Sequence, residues 1–130
     1  MQSAIEKAAV LIEAHQYIRQ FEGKLVVIKL GGSIMDDPEA LRGLIQDVCF
    51  LDAVGLRPII VHGGGKSINK AMAAEGLEAQ FVQGRRYTDE RTLTIAEHVL
   101  VNEVNRFIVE QVTAYEHRAM GLHSLASCAI

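Results

Sequence analysis

Apolar residues recur at spacings of three and four positions over the first part of the chain, which predicts an amphipathic helix. The pattern begins at about Ala8, and Gly23 is expected to end the helix. The apolar positions that follow this period are Val10, Leu11, Ala14, Tyr17, Ile18 and Phe21. Such a stripe packs either against the helix's own domain or against another protein surface.

A strand, a helix and a second strand are predicted next. Lys24–Leu30 is rich in β-branched and aliphatic residues, as is typical of a strand buried on both faces of a parallel sheet. Asp37 is a suitable N-cap with Pro38 at the first helical position, and Gly55 ends the helical pattern. Pro58–Val61 forms the second buried strand, so a right-handed crossover and a parallel pair are expected.

The remaining pattern predicts one more short helix, a hairpin or loop, and a long helix. The short helix covers Lys66–Glu75, and a loop or hairpin covers Leu77–Tyr87. Thr88 is expected to cap a long helix that runs from about Asp89 to Thr113. Two apolar runs predict further strands: Ala119–Leu122 and Ala126–Ile130. Together these elements predict an α/β fold with a mainly parallel open sheet flanked by helices.

Composition narrows the functional classes. Of the 130 residues, 49% are hydrophobic and 22% are charged, which is typical of a globular domain and excludes a disordered chain. The formal charge of −3 argues against nucleic-acid binding. No apolar run approaches the ~20 residues of a membrane span, and no secretory signal is present, so we expect a cytoplasmic protein. Cys49 and Cys128 lie in apolar runs and are expected to be small buried thiols.

Two glycine turns are the strongest candidates for a binding site. Gly31-Gly32 follows the first predicted strand and Gly63-Gly64-Gly65 follows the second, where open α/β sheets bind ligands. Glycines let backbone N–H groups approach an anion closely, and the N-terminus of the helix that follows favours negative charge. A phosphate is therefore the expected ligand. Each turn is also explained by tight strand-to-helix packing alone. The Walker A pattern and the dinucleotide fingerprint both fail around Lys66.

Three basic side chains are candidates for charge recognition. Lys29 lies in an apolar strand one residue before a glycine turn, where a buried ammonium needs an anionic partner. It could stabilise a transferred phosphoryl group, or it could extend to solvent at the strand end. Arg85 and Arg86 precede Tyr87 in a loop that could fold over the second glycine turn and bind a carboxylate, although a surface pair is the commoner arrangement. The histidines and cysteines lack metal-ligand spacing, so no metal site is expected.

Three segments resemble the amino acid kinase family in order and spacing. They are Val27–Gly32 (VIKLGG), Ile60–Gly65 (IVHGGG) and Gly84–Asp89 (GRRYTD). The resemblance implies phosphoryl transfer from ATP to the γ-carboxylate of N-acetyl-L-glutamate, an early step of arginine biosynthesis, with Mg²⁺ neutralising the phosphates. The substrate carboxylate would be the nucleophile, so the protein supplies positioning and charge stabilisation.

The resemblance also assigns roles to individual residues. Lys29 would be the catalytic residue that stabilises the transition state, and Gly31 and Gly32 would bind the transferred phosphoryl group. Gly64 and Gly65 would hold the substrate, and Arg86 would bind its α-carboxylate. No metal ligand is assigned.

The resemblance further implies a domain organisation and an assembly. Residues 1–22 are similar to the N-terminal helix of hexameric, arginine-inhibited family members, so a homo-oligomer is expected, either a dimer or a hexamer, with arginine feedback. Residues 23–130 would be the substrate-binding lobe. The C-terminal nucleotide-binding lobe is expected to be missing, because family members are about twice as long. The apolar run Ala126–Ile130 likewise suggests a truncation or a partner chain.

Some positions depart from the family pattern, and alternatives stay open. Arg85 and Tyr87 replace small apolar residues beside Arg86, which bears on substrate selectivity. The missing half favours a noncatalytic dimerising or regulatory module as one alternative. Another is a sibling kinase that acts on a different amino-acid carboxylate.

Overall fold

The computed structural model describes residues 2–32 and 34–123. Helix α1 covers Gln2–Phe21, strand β1 Leu25–Leu30, a 3-10 turn Ile34–Asp36, helix α2 Pro38–Ala53 and strand β2 Arg57–His62. Helix α3 covers Gly65–Ala74, strands β3 and β4 Phe81–Val82 and Arg85–Arg86, helix α4 Glu90–His98, a π-helical segment Val99–Asn105 and helix α5 Arg106–Ala114. The predicted α/β class and the element order up to residue 114 are confirmed.

Strands β1 and β2 pair in parallel, as predicted, with Leu25 opposite Arg57 and Leu30 opposite His62. The prediction that both faces of these strands are buried is wrong for the described residues. Side chains alternate, so that Leu30 is 1% exposed whereas Val27, on the other face, is 67% exposed. Leu25, Ile59 and Val61 share this open apolar face. The open face follows from the two-residue period of a strand, because the helices of the described core pack on the opposite side.

The core lies between the covered face of the sheet and helices α2 to α5. Leu30, Ile45 and Val99 are its largest fully buried side chains. Asp37 caps α2 as predicted, since its Oδ1 accepts hydrogen bonds from the Glu39 and Ala40 N–H groups at 3.0 and 3.1 Å. Cys49 is buried as predicted, whereas Cys128 lies outside the described residues.

The long helix that was predicted from Asp89 to Thr113 is present, but its cap and its interior differ from the expectation. Asp89, not Thr88, is the N-cap, because Asp89 Oδ1 accepts a hydrogen bond from the Thr92 N–H at 2.8 Å. The Thr88 hydroxyl instead donates to the Arg86 carbonyl. The π-helical segment Val99–Asn105 separates α4 from α5. Such π-segments often occur at functional sites.

The predicted loop or hairpin at residues 77–87 is a short hairpin. Phe81 pairs with Arg86 and Val82 with Arg85, and the turn uses Gln83 and Gly84, both of which have positive φ. The strand predicted at Ala119–Leu122 does not form. There the Asn105 side chain donates to the Leu122 carbonyl at 3.5 Å, so a side chain occupies this acceptor in place of a neighbouring strand. The strand predicted at Ala126–Ile130 lies outside the described residues.

Helix α1 exposes most of its apolar stripe. It ends at Phe21 and is followed by Gly23 with a φ of 72°, as the sequence pattern predicted. Leu11 and Ile12 are 71% and 70% exposed, and Val10 and Tyr17 are also exposed. Packing against its own domain therefore does not account for the stripe. None of the described helices is long and apolar enough to cross a membrane.

Candidate anion-binding site

The two glycine turns lie side by side because β1 and β2 are parallel neighbours whose carboxyl ends reach the same edge of the sheet. The Gly63 N–H donates to the Leu30 carbonyl at 3.4 Å, which joins the start of one turn to the end of the other strand. Gly32 and Gly64 line a common cavity of about 280 Å³. The other lining residues are Met35, Asp36, Lys66, Ser67, Glu103, Val104 and Phe107.

Helix α3 starts at this cavity. Its N-cap is Gly64, which has no side chain to bond the first N–H groups of the helix, and its first turn contains no acidic residue. Unsatisfied N–H groups and the positive end of the helix dipole therefore face this region. The arrangement suits a carboxylate or a phosphoryl group.

Gly64 also has a packing role. The π-helical segment crosses directly over the turn, and a β-carbon at Gly64 would lie 2.7 Å from Leu100 Cδ2. No such contact exists at Gly63 or Gly65, where an added β-carbon would meet nothing within 4 Å. The glycine at position 64 is therefore explained partly by tight packing, which is the alternative that the sequence left open.

Arg86 reaches the second glycine turn from strand β4. Its Nη2 donates to the Gly65 carbonyl at 3.1 Å and to Asn69 Oδ1, and its Nη1 donates to Met72 Sδ at 3.3 Å. The Phe81 ring lies 5.0 Å from the guanidinium carbon, within cation–π range. These contacts place the half-buried guanidinium beside the start of α3, although Arg86 is not itself among the residues that line the cavity.

Lys29 and Gly31 are placed differently from the other candidates. The Lys29 side chain is exposed on the open face of the sheet, which agrees with the alternative that it extends to solvent rather than with a buried ammonium. The cause is the strand alternation, which puts Lys29 on the same face as Val27. Four of the candidate residues do not line the cavity that the described residues form: Lys29, Gly31, Gly65 and Arg86. Arg86 contacts the Gly65 carbonyl, which lies in sequence between the lining residues Gly64 and Lys66.

Sequence reasoning missed three charged residues of the cavity. Asp36 and Lys66 form an ion pair across it, although 30 positions separate them in the chain. Glu103 also lines the cavity, and its Oε1 lies 4.0 Å from His98 Nε2. One usable signal was present, because Asp36 and Lys66 each follow a glycine turn closely.

A second, larger cavity of about 680 Å³ lies beside β2 and is mainly apolar. His117 Nδ1 lies 3.0 Å from Asp52 Oδ2 in its wall. Burial and the Asp52 carboxylate raise the pKa of the nearby Cys49 thiol above its ordinary value of 9.0, so the thiol remains protonated at neutral pH. An inert buried thiol agrees with the sequence interpretation of Cys49.

The described residues form no cluster that would hold a magnesium ion by protein ligands alone. Over residues 2–32 and 34–123, no three His, Cys, Asp or Glu side chains cluster in a way that could hold a metal ion. Asp36, which lines the cavity, is already paired with Lys66, so a magnesium ion there would depend on ligands from outside the described residues.

Comparison with known proteins agrees with the fold and the motif positions. The amino acid kinase family matches residues 24–130. The chain is 47% identical over 120 residues to an acetylglutamate kinase of Moorella thermoacetica. This match covers 92% of the present chain and 40% of the relative. It therefore spans less than half the length of this curated relative.

Two solved structures share the architecture. An N-acetylglutamate synthase of Neisseria gonorrhoeae, complexed with coenzyme A and L-arginine, matches 88% of this chain and 27% of its own, with a TM-score of 0.62 and 24% identity. The protein smu.665 of Streptococcus mutans matches 77% of this chain and 40% of its own, with a TM-score of 0.64 and 28% identity. The family match extends over both glycine turns and the arginine hairpin, and the chain belongs to the amino acid kinase family.

Proposed function

We propose that this chain is the substrate-binding part of an acetylglutamate kinase. The reaction is transfer of a phosphoryl group from ATP to the γ-carboxylate of N-acetyl-L-glutamate in arginine biosynthesis, and the setting is cytoplasmic. Relatives near 45% identity that carry the name acetylglutamate kinase support this assignment. Because the chain spans about 40% of their length, the full activity belongs to the proposal.

The observation that carries the proposal is the cavity between the two glycine turns, together with the Arg86 guanidinium that donates to the carbonyl of Gly65 in the second turn. A dicarboxylate substrate needs two separate anion sites. Gly32 and Gly64 face one, where the reacting carboxylate and the phosphoryl group would meet. The Arg86 guanidinium supplies the other, because its planar donors match a carboxylate.

Catalysis in this proposal needs no protein nucleophile. The γ-carboxylate attacks the phosphorus atom of the ATP γ-phosphoryl group, the bond from that phosphorus to the bridging oxygen breaks, and ADP leaves. The residues of this chain position the acceptor and stabilise charge. Lys29 would act on the transferred phosphoryl group, with Gly31 and Gly32 as N–H donors. Lys29 would have to turn towards the cavity, since its side chain points to the open face.

ATP and Mg²⁺ would be held mainly by residues outside this chain. Within residues 2–32 and 34–123, the glycine turns and the start of α3 are the groups that suit the phosphoryl end of the nucleotide. The assembly would be a homo-oligomer, a dimer or a hexamer, with arginine as a feedback inhibitor. The alternative is a noncatalytic module of the same fold, which is favoured because Lys29 is exposed and does not line the described cavity.

The test is calorimetric titration of the 130-residue chain with N-acetyl-L-glutamate, L-glutamate and L-aspartate. We expect binding of the acetylated substrate alone, and loss of at least about tenfold in affinity for Arg86→Ala, because a charged hydrogen-bond partner is removed. Arg85→Ala is the matched control, since it removes the same charge from the neighbouring exposed residue and should leave affinity unchanged.

The alternatives give different titrations. Preferential binding of glutamate or aspartate would identify a sibling kinase. Absence of binding for all three would favour the noncatalytic module. Unchanged affinity in Arg86→Ala would remove the carboxylate role of Arg86 and with it the main structural support for the assignment.

A further inference from the structure

The ion pair between Lys66 and Asp36 links the two glycine turns. Asp36 ends the 3-10 turn that follows the first glycine turn, and Lys66 is the second residue of α3, directly after the second. Both side chains line the cavity that Gly32 and Gly64 share. The pair therefore belongs to the lining of the candidate site, and the family resemblance assigns no role to either residue.

The position of Lys66 is electrostatically costly for a purely structural residue. A cation in the first turn of a helix faces the positive end of the helix dipole, where carboxylates are normally favoured. The pair itself is also weak, because the side chains of Lys66 and Asp36 are 69% and 53% exposed. Exposed pairs of this kind contribute roughly 0–1 kcal/mol. Such a contact can be exchanged readily for a better one.

The charges of the cavity explain why an anionic ligand would need Lys66. Of the lining side chains, Asp36 and Glu103 are negative and Lys66 alone is positive. Without Lys66, two carboxylates would repel the ligand from the backbone N–H groups. When Lys66 contacts the ligand, its ammonium and the backbone N–H groups at the start of α3 both stabilise the same anion.

We propose that Lys66 is an anion-binding residue of this cavity and that Asp36 holds it until the ligand enters. On binding, the ammonium moves from the Asp36 carboxylate to the carboxylate or phosphoryl oxygens between the glycine turns. Asp36 then competes with the ligand for Lys66 and so lowers the affinity of the chain for the ligand. This inference rests on the proposed function for the identity of the ligand, but the exchange of partners concerns any anion of that chemistry.

The test uses the 130-residue chain and its variants Lys66→Met, Asp36→Asn and the double variant, titrated calorimetrically at low salt. N-acetyl-L-glutamate and inorganic phosphate are the probes. Lys66→Met should weaken binding about tenfold, since a charge-assisted hydrogen bond is lost. Asp36→Asn should strengthen it about threefold, because a competing surface ion pair is removed. The double variant should bind no more weakly than Lys66→Met, because it also lacks the Asp36 carboxylate that repels the anion.

A second exposed ion pair provides the control. Arg91 and Glu75 lie 3.3 Å apart outside the cavity lining, with similar exposure. Arg91→Met and Glu75→Gln change the charge of the chain by the same amounts and should leave both affinities unchanged. Equal effects in the two pairs would mean that only overall charge matters, which would overturn the proposal.

The remaining outcomes separate this inference from the proposed function. If phosphate binds in a way that depends on Lys66 and acetylglutamate does not bind, the result supports the role of Lys66 and contradicts the assignment of acetylglutamate as substrate. Acetylglutamate binding that is unaffected by Lys66→Met keeps the assignment and overturns the inference. Weakening by Asp36→Asn, or absence of binding for both probes, would overturn the exchange of partners.

Discussion

Leu100 packs directly on Gly64, and a β-carbon at that glycine would come within 2.7 Å of Leu100 Cδ2. Val104 Cγ2 would lie 3.5 Å away. The π-helical segment is thereby in contact with the backbone of the second glycine turn. Close contact between these two elements fixes one wall of the candidate site and makes its shape sensitive to a single methyl group.

Gly64→Ala is expected to lower the free energy of unfolding by about 1–3 kcal/mol, the usual cost of overpacking. In a Leu100→Ala background the same substitution should cost less, because the clashing atom is absent. Gly63→Ala is the control, since an added β-carbon there meets nothing within 4 Å. Urea unfolding of the four variants measures the coupling, and an equal cost in both backgrounds would contradict the packing explanation.

Gly43→Ala is expected to stabilise the chain. Gly43 lies in the interior of α2, where an added β-carbon would meet nothing within 4 Å, and its φ is not positive. Alanine restricts the unfolded chain and favours the helix by about 0.5–1 kcal/mol. A higher urea midpoint at unchanged slope is the expected result. A lower midpoint would show that position 43 carries a contact that the structure does not reveal.

The N-cap at Asp89 should make stability fall in acid. Hydrogen bonds from the Thr92 backbone and side chain lower the pKa of Asp89 from its ordinary value of 3.8. Because the unfolded chain then binds the proton more readily, this stabilisation is present above about pH 3.8 and is lost as pH falls through the folded-state pKa. Asp89→Asn retains an acceptor without the titration. Its melting temperature should therefore depend less steeply on pH below 4 than that of the parent chain; equal slopes would exclude the effect.

For the hexameric form of the proposed assembly, deletion of residues 1–20 is expected to leave dimers. The exposed apolar residues of α1, which include Leu11 and Ile12, are the surface that would be buried between dimers. Leu11→Ser with Ile12→Ser is the matched variant, because it removes the apolar surface and keeps the helix. Sedimentation velocity of the three proteins measures the change. An unchanged sedimentation profile after deletion would refute the role of α1.

The sequence determined most of the local structure of this chain. Helix α2 follows from the Asp37 cap and Pro38, and the parallel strands follow from their apolar content and the intervening helix. These features depend on neighbouring residues, so local rules suffice to predict them. The α1 helix and the hairpin before α4 were predictable on the same grounds, although the cap of α4 shifted by one residue to Asp89.

Tertiary structure decided which residues meet. The exposure of Lys29 could not be predicted, because a strand pattern alone does not say which face the helices cover. The ion pair of Asp36 with Lys66 joins positions 30 residues apart, and the contact of Leu100 with Gly64 depends on where the π-helical segment crosses the turn. The sequence alone thus determined the two glycine turns and the arginine hairpin. The packing of helices on one face of the sheet decided how these elements combine into a charged cavity. The reason is that contacts between distant residues depend on the path of the whole chain.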